Sequence, residues 1–530
     1  MRILITGAAG LLGAAVSLAL PESAVVRAVD LAFSDPLPPS LQRVELMPGD
    51  LRNQEFVSQA VQGITHIVHL APLYTRLASD TDTLEHATRG TYQLALAAAE
   101  MGVERIILGS TLDLYADLWA KYRIDEGWRT RPRPHIDQLC AYLAEVTLRE
   151  VTRVTGVPAI CLRYGRVVDE GEVQSDALSG QPPDPRWIHV DDAVSATLRA
   201  TSVEATGWHV YHISAAGDKA AVPNAHSVQA PFSYAPVHTF LEVDEPFPAF
   251  SDPLPEPLPQ RPIRRVVIFG AGGPLGAAVA ENLKASYQLR LADIRPVEEA
   301  AAAKPQSPGA PLPTPPLPPH EWLVMDVRDA DQVMAACEGM DAIINCSVLR
   351  SDPIDAFRVN TLGAYHVMRA AVQNRISRVV HTGPFLVAQE GPSGFRWDDW
   401  IVDDVPARPG TSWVYNPTKL LGKEICRIYA EYYGLEVPAL AFVHFRNPAT
   451  SGRTPDSPPG WRLNPFSVSW TDAALAVRAA LEVRKLPSPF EYMHIGAELP
   501  HGVYPMDKAK RILGWEAKDY FEECYARGQT

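Results

Sequence analysis

Apolar residues fall in short, unbroken runs along this chain, and each run leads into a longer stretch with helical spacing. Residues 3–16 read ILITGAAGLLGAAV and residues 266–279 read VVIFGAGGPLGAAV. In both, an apolar run without polar relief predicts a strand buried on both faces, and the alanine-rich continuation predicts a helix. The same order of features then recurs. An apolar strand ends in an acid, Asp30 or Asp293. A proline-containing loop leads to Gly49-Asp50-Leu51 or Met325-Asp326-Val327, and another buried strand follows, Ile64 to Leu70 or Ala342 to Cys346. From Leu84 and Phe357 onward the halves align without a gap, LEHATRGTYQLALAAAEMGVERIIL over FRVNTLGAYHVMRAAVQNRISRVVH. Strands alternating with helices imply βαβ units and a parallel sheet. A repeat of about 260 residues is far longer than a solenoid unit and marks a duplicated domain. The expected fold class is α/β, with two tandem doubly wound domains, each ending in a small C-terminal substrate region.

Length agrees with this, since 530 residues exceed one ordinary core and fit two large domains. Composition shows the seam. Residues 244–262, DEPFPAFSDPLPEPLPQRP, carry proline and acid without any period, as a linker or surface strap does. The expected domains are 1–243 and 263–530. A second proline-rich stretch, at about 296–320 and densest from Pro305 to Pro319, reads as a long, disordered surface loop.

The net charge of −14 argues against a nucleic-acid partner, which requires clustered Lys and Arg. The six cysteines form no CxxC pair and no zinc spacing, so reduced thiols and no metal are expected. No apolar run reaches the roughly 18 residues of a membrane helix. The short apolar N-terminus runs into a glycine motif rather than a cleavage site, so a cytoplasmic protein is expected.

The glycines carry the first chemistry. Gly7-x-x-Gly10-x-x-Gly13 and Gly270-x-x-Gly273-x-x-Gly276 each follow a strand and open a helix. Glycine there permits a tight turn, backbone approach to a diphosphate, and close helix–strand packing. The helix N-terminus adds free N–H groups for the anion. Asp30 and Asp293 stand where a carboxylate accepts from ribose hydroxyls and repels a 2′-phosphate. The expected cofactor is therefore NAD on a Rossmann-type sheet. Arg295, two residues past Asp293, is a cation that bears on this choice.

The glycine spacing resembles that of the extended short-chain dehydrogenase/reductase (NAD-dependent epimerase/dehydratase) family, and the resemblance covers most of both halves. Asp50-Leu51 and Asp326-Val327 look like the family's adenine-contacting pair. Asn360 looks like its helix asparagine, replaced by Ala87 in the first half. Trp187 to Asp192, WIHVDD, and the closing MDKAKRILGWEAK, Met506 to Lys518, also resemble family segments.

The resemblance implies a Tyr and a Lys four residues later on one helix face, with a Ser or Thr after the fourth strand holding the substrate oxygen. Tyr415 and Lys419 supply the pair in the second half. The Lys charge is expected to lower the phenol's pKa. The hydroxyl is missing, because the gap-free alignment puts Pro384 under Thr111, leaving Thr382 or His381 as substitutes. The first half shows the reverse loss. It keeps Thr111, but the Tyr and Lys positions fall on Asp137 and Ala141.

The expected function is an NAD-dependent oxidoreductase or isomerase, of epimerase/dehydratase type, working in the second half. The resemblance is strongest to members acting on sugars, uronates and nucleotide sugars, so the expected partner is a sugar-like small molecule. The alternative is a catalytically silent NAD-binding sensor or scaffold. Family members pair through two helices, here Thr83–Met101 with Gln138–Val154 and Pro353–Asn374 with Thr418–Tyr433. A duplicated chain supplies both surfaces, so an intramolecular pseudo-dimer is expected.

Overall fold

The computed structural model describes the chain except residues 120, 179–185, 216–223, 225, 241–252, 308, 387–388, 392–393, 397–413, 451–466, 500–501, 503–504 and 526–530. The chain divides into two compact units, Met1–Pro253 and Leu254–Thr530. Residues 244–252 of the proline-rich connection lie outside the described residues, and 253–262 form neither helix nor strand.

Each unit is built on a seven-stranded, wholly parallel sheet. The first comprises β1 (Arg2–Thr6), β2 (Val25–Asp30), β3 (Glu45–Pro48), β4 (His66–His69), β5 (Arg105–Thr111), β6 (Ala159–Tyr164) and β7 (Trp208–Ile213), in the order β3-β2-β1-β4-β5-β6-β7. The second comprises β8 (Arg265–Phe269), β9 (Gln288–Asp293), β10 (Glu321–Val324), β11 (Ala342–Asn345), β12 (Arg378–Pro384), β13 (Val437–Phe442) and β14 (Phe490–His494), in the order β10-β9-β8-β11-β12-β13-β14. Strand order reverses at β1 and at β8. In open α/β sheets such a switch point leaves a crevice at the carboxyl ends of the strands.

Both faces of each sheet are covered, which is why its central strands read as unbroken apolar runs. Ile3, Leu4 and Ile5 are fully buried, as are Val266 to Phe269. On one face, helix Leu11–Ala19 packs on helix Val190–Ser202, and Pro274–Leu283 on Trp470–Glu482. Alanines at 473, 476 and 480 keep the latter helix close to the core. On the other face, Thr91–Glu100 packs on Ile136–Thr155, and Gly363–Gln373 on Tyr415–Tyr433. Leu94, Val146, Leu148, Leu362, Ile425 and Ile428 are all buried.

The WIHVDD segment and the matching Ser469-Trp470-Thr471-Asp472 of the second half have a structural task. The Asp192 carboxylate accepts the backbone N–H groups of Val237 and His238, both at 3.0 Å. Asp472 accepts those of Lys518 and Asp519 at 2.9 and 2.8 Å. Each therefore ties a late segment of its unit to a helix N-terminus. Trp515 of the closing segment donates its indole N–H to the Asp472 carbonyl at 3.1 Å.

The proline-rich stretch of the second half makes contacts despite its composition. It contains a short helix, Val297–Ala302, and it buries Ala310. Lack of periodicity in that sequence reflected lack of regular structure, not lack of contact. Proline also restricts the unfolded chain, so ordering such a stretch costs less entropy.

The first unit holds a buried polar network between helix Ile136–Thr155 and the sheet. Glu145 receives Arg163 through two bonds of 2.9 and 2.7 Å, and it also accepts the Ser110 hydroxyl. Arg163 donates to the Tyr115 hydroxyl, which donates to the Trp128 carbonyl at 3.0 Å. Burial alone would raise the Glu145 carboxyl pKa, but the Arg163 charge outweighs it and holds the group ionised. Ser110 pairs across the sheet with Arg163, and Gly383 with Ala441, so the second unit has no counterpart to either side chain. Glu145→Ala would strand a buried guanidinium, and breaking such a pair costs about 3–5 kcal/mol. Urea unfolding should show the first unit's transition moving to lower denaturant while the second unit's stays in place. A first-unit midpoint shift equivalent to under about 1 kcal/mol, the range of exposed pairs, would show that this pair does not hold the helix to the sheet.

Candidate active site

The glycine turns bring backbone into contact that no side chain allows. A Cβ on Gly276 would lie 2.3 Å from the Gly270 carbonyl oxygen, and one on Gly13 would lie 2.3 Å from that of Gly7. Gly270 and Gly7 take φ of 76° and 71°, the left-handed region that favours glycine. Beneath each turn sits the acid that ends the second strand. Asp293 accepts the Gly272 N–H at 2.9 Å, and Asp30 accepts that of Ala9 at 2.9 Å. Gly10 and Gly273 cap the helices that follow. Both halves thus place Gly7, Gly10, Gly13 and Asp30, or Gly270, Gly273, Gly276 and Asp293, in one arrangement.

A cavity of about 770 Å³ opens over the second unit's turn. Gly270, Gly273, Gly276, Asp293, Asp326 and Val327 line it, and so do Thr382, Tyr415 and Lys419. Asp326 is fixed by Arg328, which bridges it to Asp355 with contacts of 2.7 Å to each carboxylate. The equivalent Asp50 is held below the usual carboxylate range because hydrogen bonds and charge from Arg52 outweigh the penalty of burial. Leu51 is buried behind it and limits the space beside Gly90.

Helix Tyr415–Tyr433 ends on Gly434, and helix Ile136–Thr155 ends on Gly156, both in the left-handed conformation. Counting back 19 residues from each cap reaches Tyr415 and Asp137. The first half therefore carries Asp137 and Ala141 where the second carries Tyr415 and Lys419. Asp137 pairs with Arg76 at 2.6 Å.

Lys419 is fully enclosed. Its ammonium donates to the carbonyls of Ser347 at 2.9 Å and Thr382 at 3.2 Å, leaving a third donor. Burial pushes its pKa down to about 8. Tyr415 reverses the expectation of a lowered phenol. Burial pushes it up to about 12, against the pull of Arg350, whose guanidinium carbon lies 5.4 Å from the ring centroid.

Thr382 lines the cavity, but its hydroxyl donates to the Asn345 carbonyl at 2.9 Å. The Ser347 hydroxyl likewise donates to the Asn345 side chain at 2.6 Å. The Pro384 carbonyl accepts the Tyr492 hydroxyl at 2.8 Å. His381 is entirely buried, and burial pushes its pKa down to about 3. Asn360 stands behind the cavity wall. It donates to the Leu349 carbonyl at 2.7 Å and the Thr418 hydroxyl at 3.0 Å, and accepts the Leu349 N–H at 3.1 Å.

No motif marked Ser347, Arg350, Gln306 and Ser307 as lining the same cavity. All four lie on loops whose spacing has no period. Among the described residues, His189, Asp191 and His238 are close enough to share an ion. The two imidazoles stack at 3.9 Å and 22°, so no ion can lie in the plane of both rings. No helix among the described residues is long and apolar enough to cross a membrane.

Two stretches, residues 3–181 and 266–456, match the NAD dependent epimerase/dehydratase family. The chain belongs to that family. Among curated relatives, it is 28% identical to a uronate dehydrogenase of Pseudomonas putida over 183 residues, which are 34% of this chain and 60% of that protein. It is 22% identical to an NAD-dependent glucose-6-phosphate dehydrogenase of Haloferax volcanii over 278 residues, 50% of this chain and 97% of that one. Among solved structures, it is 24% identical to a uronate dehydrogenase from Agrobacterium tumefaciens, with a TM-score of 0.39, covering 49% of this chain and 86% of that one. The chain thus spans 60% of the first relative's length. The epimerase/dehydratase match recurs in each half, in agreement with the duplicated sheets.

The buried lysine makes a pH-dependent prediction. Its folded pKa of about 8 lies below the ordinary 10.5, so the unfolded chain binds that proton more readily. The resulting drag on stability is fully present below about pH 8 and fades as pH rises toward 10.5. Lys419→Met removes the drag. The melting-temperature difference, variant minus parent, should fall steadily as nucleotide-free protein is taken from neutral pH to alkaline pH. A difference that stays flat would show that the lysine carries no burial penalty.

Proposed function

We propose that the second half is an NAD-dependent oxidoreductase, or an epimerase/dehydratase, acting on a hydroxyl or carbonyl of a sugar, uronate or nucleotide sugar. The observation that carries this is the convergence of Tyr415, Lys419 and the Gly270–Gly276 turn on one cavity. The named functions of the uronate and glucose-6-phosphate relatives support the substrate class.

The residues present fit NAD. A Cβ on Gly276 would close the turn, and its absence leaves the helix N-terminus open for a diphosphate. Asp293 keeps free lone pairs for ribose hydroxyls after accepting its two backbone bonds. Asp326 and Val327 would flank the adenine. When bound, the nicotinamide supplies hydride acceptance or donation. Tyr415 exchanges a proton with the substrate hydroxyl, and its raised pKa must fall for it to act as a base. Lys419, with one donor unspent, orients the ribose and adds positive charge beside the phenol. The first half retains the fold and the turn but performs no chemistry. We further propose that the duplicated helices let the chain act as its own pair, which sedimentation would test as a monomer in solution.

The reading is tested with a panel of uronates, sugar phosphates, neutral sugars and nucleotide sugars. NADH absorbance and product analysis are followed together, since an epimerase is redox-neutral. Turnover should drop by at least about a hundredfold in Tyr415→Phe, as expected for a lost general acid–base, and survive Thr111→Ala. Full activity in Tyr415→Phe would end the reading.

A second reading, a silent NAD-binding protein, is favoured by one observation. Pro384 replaces the family hydroxyl, while the Thr382 and Ser347 hydroxyls both donate inward to Asn345. It predicts NAD binding without turnover of any panel member. The two readings part again at Pro384→Thr. Restoring a hydroxyl donor should raise kcat by about tenfold to a hundredfold if a working but weakened site is present. No gain, in a variant that still folds and binds NAD, would place the weakness elsewhere.

A further inference from the structure

Among the described residues, three arginines line the cavity, and two of them are matched by acids. Arg295 faces Asp293 at 3.5 Å, and Arg328 binds Asp326 and Asp355 at 2.7 Å. Arg350 is the third. It sits over the Tyr415 ring, and among the described residues no carboxylate pairs with it. A guanidinium held against a ring face spends none of its N–H donors on that contact. Its planar fork stays available for bidentate binding of a carboxylate or phosphate.

Its backbone is also held in place. The preceding residue, Leu349, is clamped through both its N–H and its carbonyl by Asn360, at 3.1 and 2.7 Å. Three residues back, the Ser347 carbonyl receives Lys419 at 2.9 Å. Asn360 reaches the Thr418 hydroxyl on the helix that carries Tyr415. The loop bearing Arg350 is therefore registered against the proton-transfer residue by these four hydrogen bonds. Such pre-organisation reduces the ordering cost of binding. The first half has Ala87 in place of Asn360 and cannot make this clamp.

We propose that Arg350 binds an anionic group, carboxylate or phosphate, on the sugar whose hydroxyl meets Tyr415. This rests on the reading of the second half as a sugar-acting site. Because Arg350 contacts the Tyr415 ring, the anion lies on the reacting sugar itself, within one sugar's length of the reacting carbon. A neutral sugar leaves the fork to water.

The test uses full-length protein saturated with NAD and measures binding by calorimetry. The probes are a hexuronate, a hexose 6-phosphate and the neutral hexose. Parent protein should bind one anionic sugar at least tenfold tighter than the neutral one, and the preferred probe identifies the anion. Arg350→Met, which keeps the apolar stem, should abolish that preference, and Arg350→Lys should restore part of it. Thermal unfolding checks that both variants fold. The inference is overturned if Arg350→Met keeps the preference, if parent protein shows none, or if no probe binds. An intact, Arg350-dependent preference without turnover would leave the anion site standing and remove the oxidoreductase reading. Turnover of sugars with no anionic preference would do the opposite.

Discussion

The constraint on which the site of both halves depends is a contact between two pieces of backbone. The carbonyl of the first motif glycine lies where the third glycine's Cβ would be, at 2.3 Å in both copies. That approach presses a helix N-terminus against the end of the central strand. It also carries the turn's N–H groups over the second strand, where Asp30 or Asp293 takes one of them. Any side chain at Gly13 or Gly276 would push helix and strand apart, and the acid would lose its partner. The cavity floor, the exposed N–H groups and the position of the carboxylate all follow from this contact.

Around that shared frame the copies have invested differently. Both keep a carboxylate, Asp192 or Asp472, that gathers two backbone N–H groups of a late segment. Both place a π-helical turn before the helix that leads to the fifth strand, His86–Gly90 and Phe357–Leu362. They part where the long helix meets the sheet. The first copy fills that junction with Ser110, Glu145 and Arg163 in mutual contact. The second has Gly383 and Ala441 in the strands and enlists an enclosed lysine nearby, whose charge the surroundings resist. One copy has put its buried charges in a matched pair, and the other keeps a charge in tension. Such tension is common where chemistry and stability compete.

The frame was legible from sequence because it is local. Gly270 to Gly276, Asp293 and the Tyr415–Lys419 spacing are set by neighbours within one strand–turn–helix or one helical turn. Arg350 was not legible, because its position depends on a loop caught by Asn360 from a distant helix. Asn360, the match to the family's helix asparagine, stands behind the wall and shapes the loop. The phenol of Tyr415 was expected low because a lysine is near. The structure shows burial dominating instead. Which way a hydroxyl points was equally beyond sequence, and Thr382 and Ser347 both turn toward Asn345.

The proline-rich insertion of the second half adds Gln306 and Ser307 to the cavity wall. A little further on, Gly309 has no room for a Cβ beside Asn447, which follows the sixth strand. The insertion therefore leans on the Asn447 loop at one point and on the cavity at another. An occupant that contacts Gln306 or Ser307 and a force that orders the insertion are thermodynamically linked. Whatever free energy the occupant gains from a settled insertion, the insertion gains from the occupant. A largely irregular surface segment thereby becomes a reciprocal reporter of what the cavity holds.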